Sequence, residues 1–219
     1  MSTSARTDAA PLREELLAAL VRGDAGLAEL IALDAVTQDG WSVADLYVDV
    51  LAPVLAEIGH RWEGGSLSVA DEHLATGIAH GVMRLVGRAA TRRPRRSRER
   101  VLLAAAGGEG HVVGLRMIAD LAEGAGFDVR YLGAAVPVDT LAGVVAKHEP
   151  HVVGLSVTMA ASAEQLSAAL DEIASAGTGV RGILVGGAAV PASLRADARV
   201  RYAADARDAL AILEELAER

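Results

Sequence analysis

Between residues 12 and 90 the apolar positions recur at intervals of three and four, and no stretch alternates apolar with polar as a half-buried strand would. That period predicts helices over 12–21 and 25–36. After Asp39-Gly40 a longer stripe follows, made of Val43, Leu46, Tyr47, Val50, Leu51, Val54, Leu55, Ile58 and Trp62, and it predicts a third helix. Beyond the Gly64-Gly65-Ser66 break, Leu74, Ile78, Val82 and Leu85 predict a fourth, so residues 12–91 read as a four-helix bundle. Past residue 100 the pattern changes to short apolar runs separated by helical ones. Residues 101–106, 129–132, 152–157, 183–185 and 200–203 read as strands, the first four almost continuously apolar, as strands buried on both faces of a parallel sheet are. Helices are expected over 112–125, 139–148, 163–176 and 206–218. The alternation predicts an α/β domain over 101–219: a doubly wound, flavodoxin-like fold with a five-stranded parallel sheet and its ligands at the carboxyl ends of the strands.

Between the halves, Arg92-Arg93-Pro94-Arg95-Arg96-Ser97-Arg98-Glu99-Arg100 is charged and interrupted by proline. Residues 92–100 are therefore read as a solvated linker, and 1–11, which lack an apolar period, as a flexible N-terminus. Composition adds how the core is filled. With 52% hydrophobic but only 3% aromatic residues, it is built from Ala, Leu, Val and Ile, which lets the layers approach closely. The net charge of -8, from 21 basic and 29 acidic side chains, disfavours an extended nucleic-acid surface and makes any role at DNA indirect. With no cysteine, disulfides and thiolate-bound metal centres are excluded. No segment reaches the roughly 18 apolar residues of a membrane span. The expectation is a soluble, cytoplasmic protein.

Candidate chemistry concentrates where the first strand of the α/β half meets its helix, at Glu109-Gly110-His111-Val112-Val113-Gly114. A carboxylate two residues before an imidazole can hydrogen-bond one ring nitrogen and leave the other for a metal. Gly108-x-Gly110-x-x-x-Gly114 also suggests a dinucleotide turn, but the acidic residue wanted after the second strand is replaced by Tyr131-Leu132-Gly133-Ala134. A hydrolase built on His111 with Ser156 or Thr158 lacks the G-x-S-x-G elbow. His80, His148 and His151 receive no role.

At these residues the chain resembles the cobalamin (vitamin B12)-binding proteins. Their signature is Asp/Glu-x-His-x-x-Gly after the first strand, Ser-x-Leu or Ser-x-Thr in a later one and Gly-Gly after another. Here it stands as Glu109-x-His111-x-x-Gly114, Ser156-x-Thr158 and Gly186-Gly187. The resemblance implies that His111 replaces the dimethylbenzimidazole base as the lower axial ligand of cobalt. It also implies that Glu109, Gly110, Gly114, Ser156, Thr158, Gly186 and Gly187 surround the cofactor. A long nucleotide tail needs small residues along its path, and Gly154, Ser156, Gly186, Gly187 and Ala188 supply them.

The resemblance extends over the helical half, which in such proteins caps the upper corrin face. Methyl carriers need that face open. The light-sensing cobalamin regulators of the CarH, LitR and AerR type resemble one another in a tryptophan, nine intervening residues and Glu-His, found here as Trp62 and Glu72-His73. By this resemblance Trp62 packs on the 5'-deoxyadenosyl group, Glu72 accepts its ribose hydroxyls and His73 lines the same cavity. Two departures matter. The histidine that follows the tryptophan in those sensors, and captures cobalt after photolysis, is here Glu63, so either His73 or His60 substitutes, or water or Glu63 takes that position, or the lit state differs in kind. Nor is there room before Leu12 for a DNA-binding winged helix.

The expectation is therefore a photoreceptor or sensor rather than an enzyme. It would carry adenosylcobalamin, with hydroxo- and methylcobalamin as alternatives, and signal through a partner transcription regulator, without contacting nucleic acid or membrane and with a homo-oligomer allowed. The competing readings are a corrinoid methyl carrier of a methyltransferase system and an interaction module that has lost its cofactor.

Overall fold

Helix starts in the N-terminal half are set by short polar side chains that satisfy the first free N–H groups. In the computed structural model, which describes residues 8–90, 99–176 and 179–217, Asp8 accepts from the Ala10 N–H and opens α1 (Ala9–Val21). Asp24 accepts from Leu27 and opens α2 (Ala25–Thr37). Ser42 caps α3 (Val43–Asp45), which runs on through a π-helical turn, Leu46–Leu51, into α4 (Ala52–Glu63). Pro53 has no N–H to offer the Asp49 carbonyl, and Arg13 Nε donates to that carbonyl instead. Ser68 and Asp71 exchange backbone and side-chain bonds in a capping box that begins α5 (Val69–Ala90). Residues 9–11 thus belong to the first helical turn. Residues 1–7 of the expected tail, and 92–98 of the expected linker, lie outside the described residues.

The chain divides into two compact units, Met1–Ala90 and Thr91–Arg219. In the first, the four helical stretches bury Leu16, Leu20, Ala32, Leu46, Val50, Ile58, Val82 and Val86 against one another. Tyr47 is fully buried and its hydroxyl donates to the Met83 carbonyl at 3.1 Å, so the one polar atom of a large core side chain is satisfied.

The second unit runs β1 (Arg100–Ala106), α6 (Val113–Ala125), β2 (Asp128–Val136), a 3-10 turn (Val138–Thr140), α7 (Leu141–His148), β3 (Val152–Ser156), α8 (Ala160–Ala163) and α9 (Leu166–Ser175). It continues with β4 (Gly182–Gly186), α10 (Ala192–Arg195), β5 (Val200–Ala203) and α11 (Ala206–Ala217). All strands are parallel, in the order β2-β1-β3-β4-β5, which is the flavodoxin-like winding. Alternate residues of β1 serve opposite faces. Val101, Leu103 and Ala105 pack with α6 and α11, whereas Leu102 and Ala104 pack with α7 and α9. Among the described residues no helix is long and apolar enough to cross a membrane.

Two expectations are corrected. The second strand is longer than 129–132 and is not buried on both faces, because it lies at the sheet edge with β1 as its one neighbour. The helix expected over 163–176 begins later, as α9, and a separate short helix, α8, precedes it; Gln165, at the break, lays its side chain over Gly107. The winding reverses between β1 and β3, so the loops that follow these strands flank the crevice in which open α/β sheets bind ligands.

Candidate functional site

After β1, Gly107 and Gly108 take left-handed conformations with φ of 68° and 82°. A Cβ on Gly107 would stand 2.6 Å from Gln165 Oε1, so the sharp turn is confined to glycine. The turn delivers Glu109 into the interior, where its side chain is 0% exposed. A buried carboxylate is tolerated only when its oxygens are satisfied. Oε1 accepts the His111 N–H at 2.8 Å and lies 2.7 Å from His111 Nδ1. Oε2 accepts the N–H groups of Thr158 and Met159 at 2.7 and 2.8 Å. The Glu109 carbonyl accepts the Ala135 N–H at 2.8 Å. One residue therefore ties the loop after β1 to the end of β2 and to the loop after β3.

Burial pushes the Glu109 carboxyl upward. The N–H groups of His111, Met159 and Thr158, together with the imidazole, outweigh it and hold the carboxyl below the usual glutamate range. A ring nitrogen facing a carboxylate carries the proton, so Nδ1 donates and Nε2 keeps its lone pair. The His111 side chain is 58% exposed. A single imidazole supplies one axial bond, which suits a metal whose other ligands arrive with the cofactor.

Ser156 ends β3, in register with Ala105 of β1 and Gly186 of β4. It is only 8% exposed, and among the described residues its hydroxyl has no protein partner. A buried hydroxyl without a partner is costly and marks a place where a ligand atom or water completes the bonding. Beside it, Gly187 has φ of 112°, and a Cβ there would stand 2.1 Å from the Val157 carbonyl oxygen. A Cβ on Gly110 or Gly114 would meet nothing within 4 Å, so the backbone beside His111 is open. An available imidazole, an uncovered glycine loop and a buried unpaired hydroxyl together fit the expected cobalamin. Ser156 sits at the end of a strand rather than on a strand-to-helix elbow.

The other four expected residues lie in the helical unit. Trp62 and Glu63 close α4, and Trp62 is 44% exposed. Glu72 and His73 occupy the first turn of α5, with His73 Nδ1 2.6 Å from Glu72 Oε2. His151, given no role, has Nδ1 2.6 Å from Glu99 Oε2 where β1 and β3 begin. Sequence reasoning missed Met159 and Ala135, whose backbone N–H groups leave no mark on residue type, and Thr76, whose hydroxyl donates to Glu72 Oε1 at 2.8 Å. The four-residue spacing of Glu72 and Thr76 was the signal available for the last.

Ala135 holds φ of 53°, a region disfavoured for any residue with a Cβ. Replacing it with glycine is expected to stabilise the second unit by about 0.5–1 kcal/mol, after the greater unfolded-state freedom of glycine is deducted. Hydrogen-exchange protection of β1 and β2 measures this, and a loss of protection would contradict it.

Comparison with known proteins gives two family matches, each to a B12 binding domain: residues 99–214 to one and residues 12–86 to another. The chain is 35% identical over 142 residues to the HTH-type transcriptional repressor CarH of Myxococcus xanthus, a match covering 64% of this chain and 46% of that protein. It is 34% identical over 140 residues to the HTH-type transcriptional repressor CarA of the same organism, covering 63% and 46%. Under half the length of either relative is spanned. In fold, the chain is similar to the monomethylamine corrinoid protein of Methanosarcina barkeri, with a TM-score of 0.81, 17% identity and coverage of 95% of this chain and 100% of that one.

Proposed function

The chain belongs to the B12-binding domain family, and on that premise we propose that it is a cobalamin-dependent light or ligand sensor that signals through a partner transcription regulator. Cobalamin binding follows from the family. The observation that carries the finer reading is the trio Trp62, Glu72 and His73 at the spacing of the cobalamin photoreceptors, in a chain 35% identical to a transcriptional repressor. His111 would hold the cobalt of the cofactor through Nε2, with Nδ1 held by Glu109. Ser156, Thr158, Gly186 and Gly187 line the path of the nucleotide tail, and Gly110 and Gly114 leave the corrin room. Trp62 offers a flat apolar wall to an adenosyl group, Glu72 accepts its ribose hydroxyls, and His73 and Glu63 border the same space. Cobalamin supplies a light-labile bond between cobalt and its upper ligand. Trp62 and Glu72 would contact the upper ligand only while it is bound, and such a difference in binding between two states would bias the signal. The net charge of -8 supports an indirect rather than a direct route to DNA.

The test is to load the protein with adenosylcobalamin in darkness and record its absorbance before and after green light. A lasting spectral change is expected. An unchanged spectrum overturns the photochemical reading, and a preference for methylcobalamin over adenosylcobalamin turns the assignment to a methyl carrier.

A further inference from the structure

Two threonines in the helical unit sit four residues after a potential acceptor, and they behave differently. Thr37 Oγ1 donates to the backbone carbonyl of Leu33 at 2.8 Å, the usual arrangement for a threonine within a helix. Thr76 Oγ1 instead donates to the side-chain carboxylate of Glu72, also at 2.8 Å. The other oxygen of that carboxylate, Oε2, is 2.6 Å from His73 Nδ1. Glu72 is thus gripped at both oxygens, and its side chain is 25% exposed against 75% for His73. Neighbours one apart on a helix do not ordinarily face each other, so the His73 contact requires the carboxylate to fold back along its own turn. The Ser68–Asp71 capping box holds the turn from which these residues project.

A carboxylate has about four acceptor positions, two on each oxygen. Thr76 and His73 use one on each. One position then remains on each oxygen, the pattern that a pair of adjacent hydroxyls fills. An ungripped glutamate on a helix surface would have to give up side-chain freedom when such a ligand arrives, and here that ordering is in place beforehand.

We propose that Thr76 is a positioning residue that holds the Glu72 carboxylate with one open acceptor site on each oxygen, ready for the vicinal diol of an adenosyl upper ligand. The proposal rests on the sensor reading given above. It makes discrimination between upper ligands depend on a residue that need not touch any of them.

The experiment compares full-length wild type with Thr76→Val and Thr76→Ser, each titrated in darkness with adenosylcobalamin and with hydroxocobalamin, which has no diol above cobalt. Absorbance reports both affinities. Valine keeps the shape but cannot donate, and the ratio of the two affinities is expected to fall about tenfold, as for loss of a bond to a charged acceptor. Serine restores the donor, and the ratio is expected to return to within about twofold of wild type. A wild-type ratio that favours adenosylcobalamin and is unchanged in Thr76→Val overturns the role of Thr76 and leaves the sensor reading standing. Failure of serine to restore the ratio overturns it too, since the methyl group would then be what matters. A wild type that does not distinguish the two cobalamins overturns the sensor reading and this proposal together.

Discussion

Replacing His111 with alanine is expected to lower cobalamin affinity by about 100-fold or more, and to give any cobalamin still bound the spectrum of the form that keeps its own dimethylbenzimidazole base. The size follows from the ligand itself being removed, since loss of a residue that merely supports a metal ligand already costs about 10- to 100-fold. Stability should change little. The His111 side chain is 58% exposed, and without its ring Glu109 still accepts from the N–H groups at 111, 158 and 159. A variant that folds, binds and keeps the wild-type spectrum would remove His111 from the cobalt.

Glu109→Gln changes almost nothing in shape and is expected to be the more damaging substitution to the fold. Each carboxylate oxygen faces two donors: His111 N–H and Nδ1 at Oε1, Thr158 and Met159 N–H at Oε2. Whichever oxygen becomes an NH2 group, two part-buried donors meet a third beside a buried side chain, at a cost of about 1–3 kcal/mol. The amide can ease one clash by turning toward His111, provided the ring moves its proton to Nε2 and accepts at Nδ1. That tautomer has no lone pair on Nε2 to offer a metal. Lower hydrogen-exchange protection in β1 and β3 of the protein without cofactor, together with weakened cobalamin binding, is the expected result. Wild-type protection in both strands would show that the four donors are not what holds the loops after β1 and β3 together.

The two substitutions separate jobs that the short motif presents as one. On the proposed reading His111 would meet the cofactor, whereas Glu109 organises the loops around it. Only the pairing of the two side chains was readable from Glu109-x-His111, because a contact between residues two apart is set by local backbone geometry. The same holds for the helix periods, the strand alternation and the capping residues, all of which depend on neighbours within a few positions. The π-helical turn at Leu46–Leu51 and the division of α8 from α9 escaped, since apolar spacing does not register a change in helix pitch or a break of two residues.

Sequence alone therefore settled the α/β class, the helical half, the pairing of a carboxylate with an imidazole and the small residues flanking it. The tertiary structure decided that the Glu109 carboxylate is buried and fully engaged, that Ser156 is enclosed with its hydroxyl unpaired, and that β2 is an edge. Each of these depends on partners distant in the chain: the donors to Glu109 Oε2 lie 49 and 50 residues away. Both donors are backbone N–H groups, which every residue but proline carries, so no choice of side chain announces them.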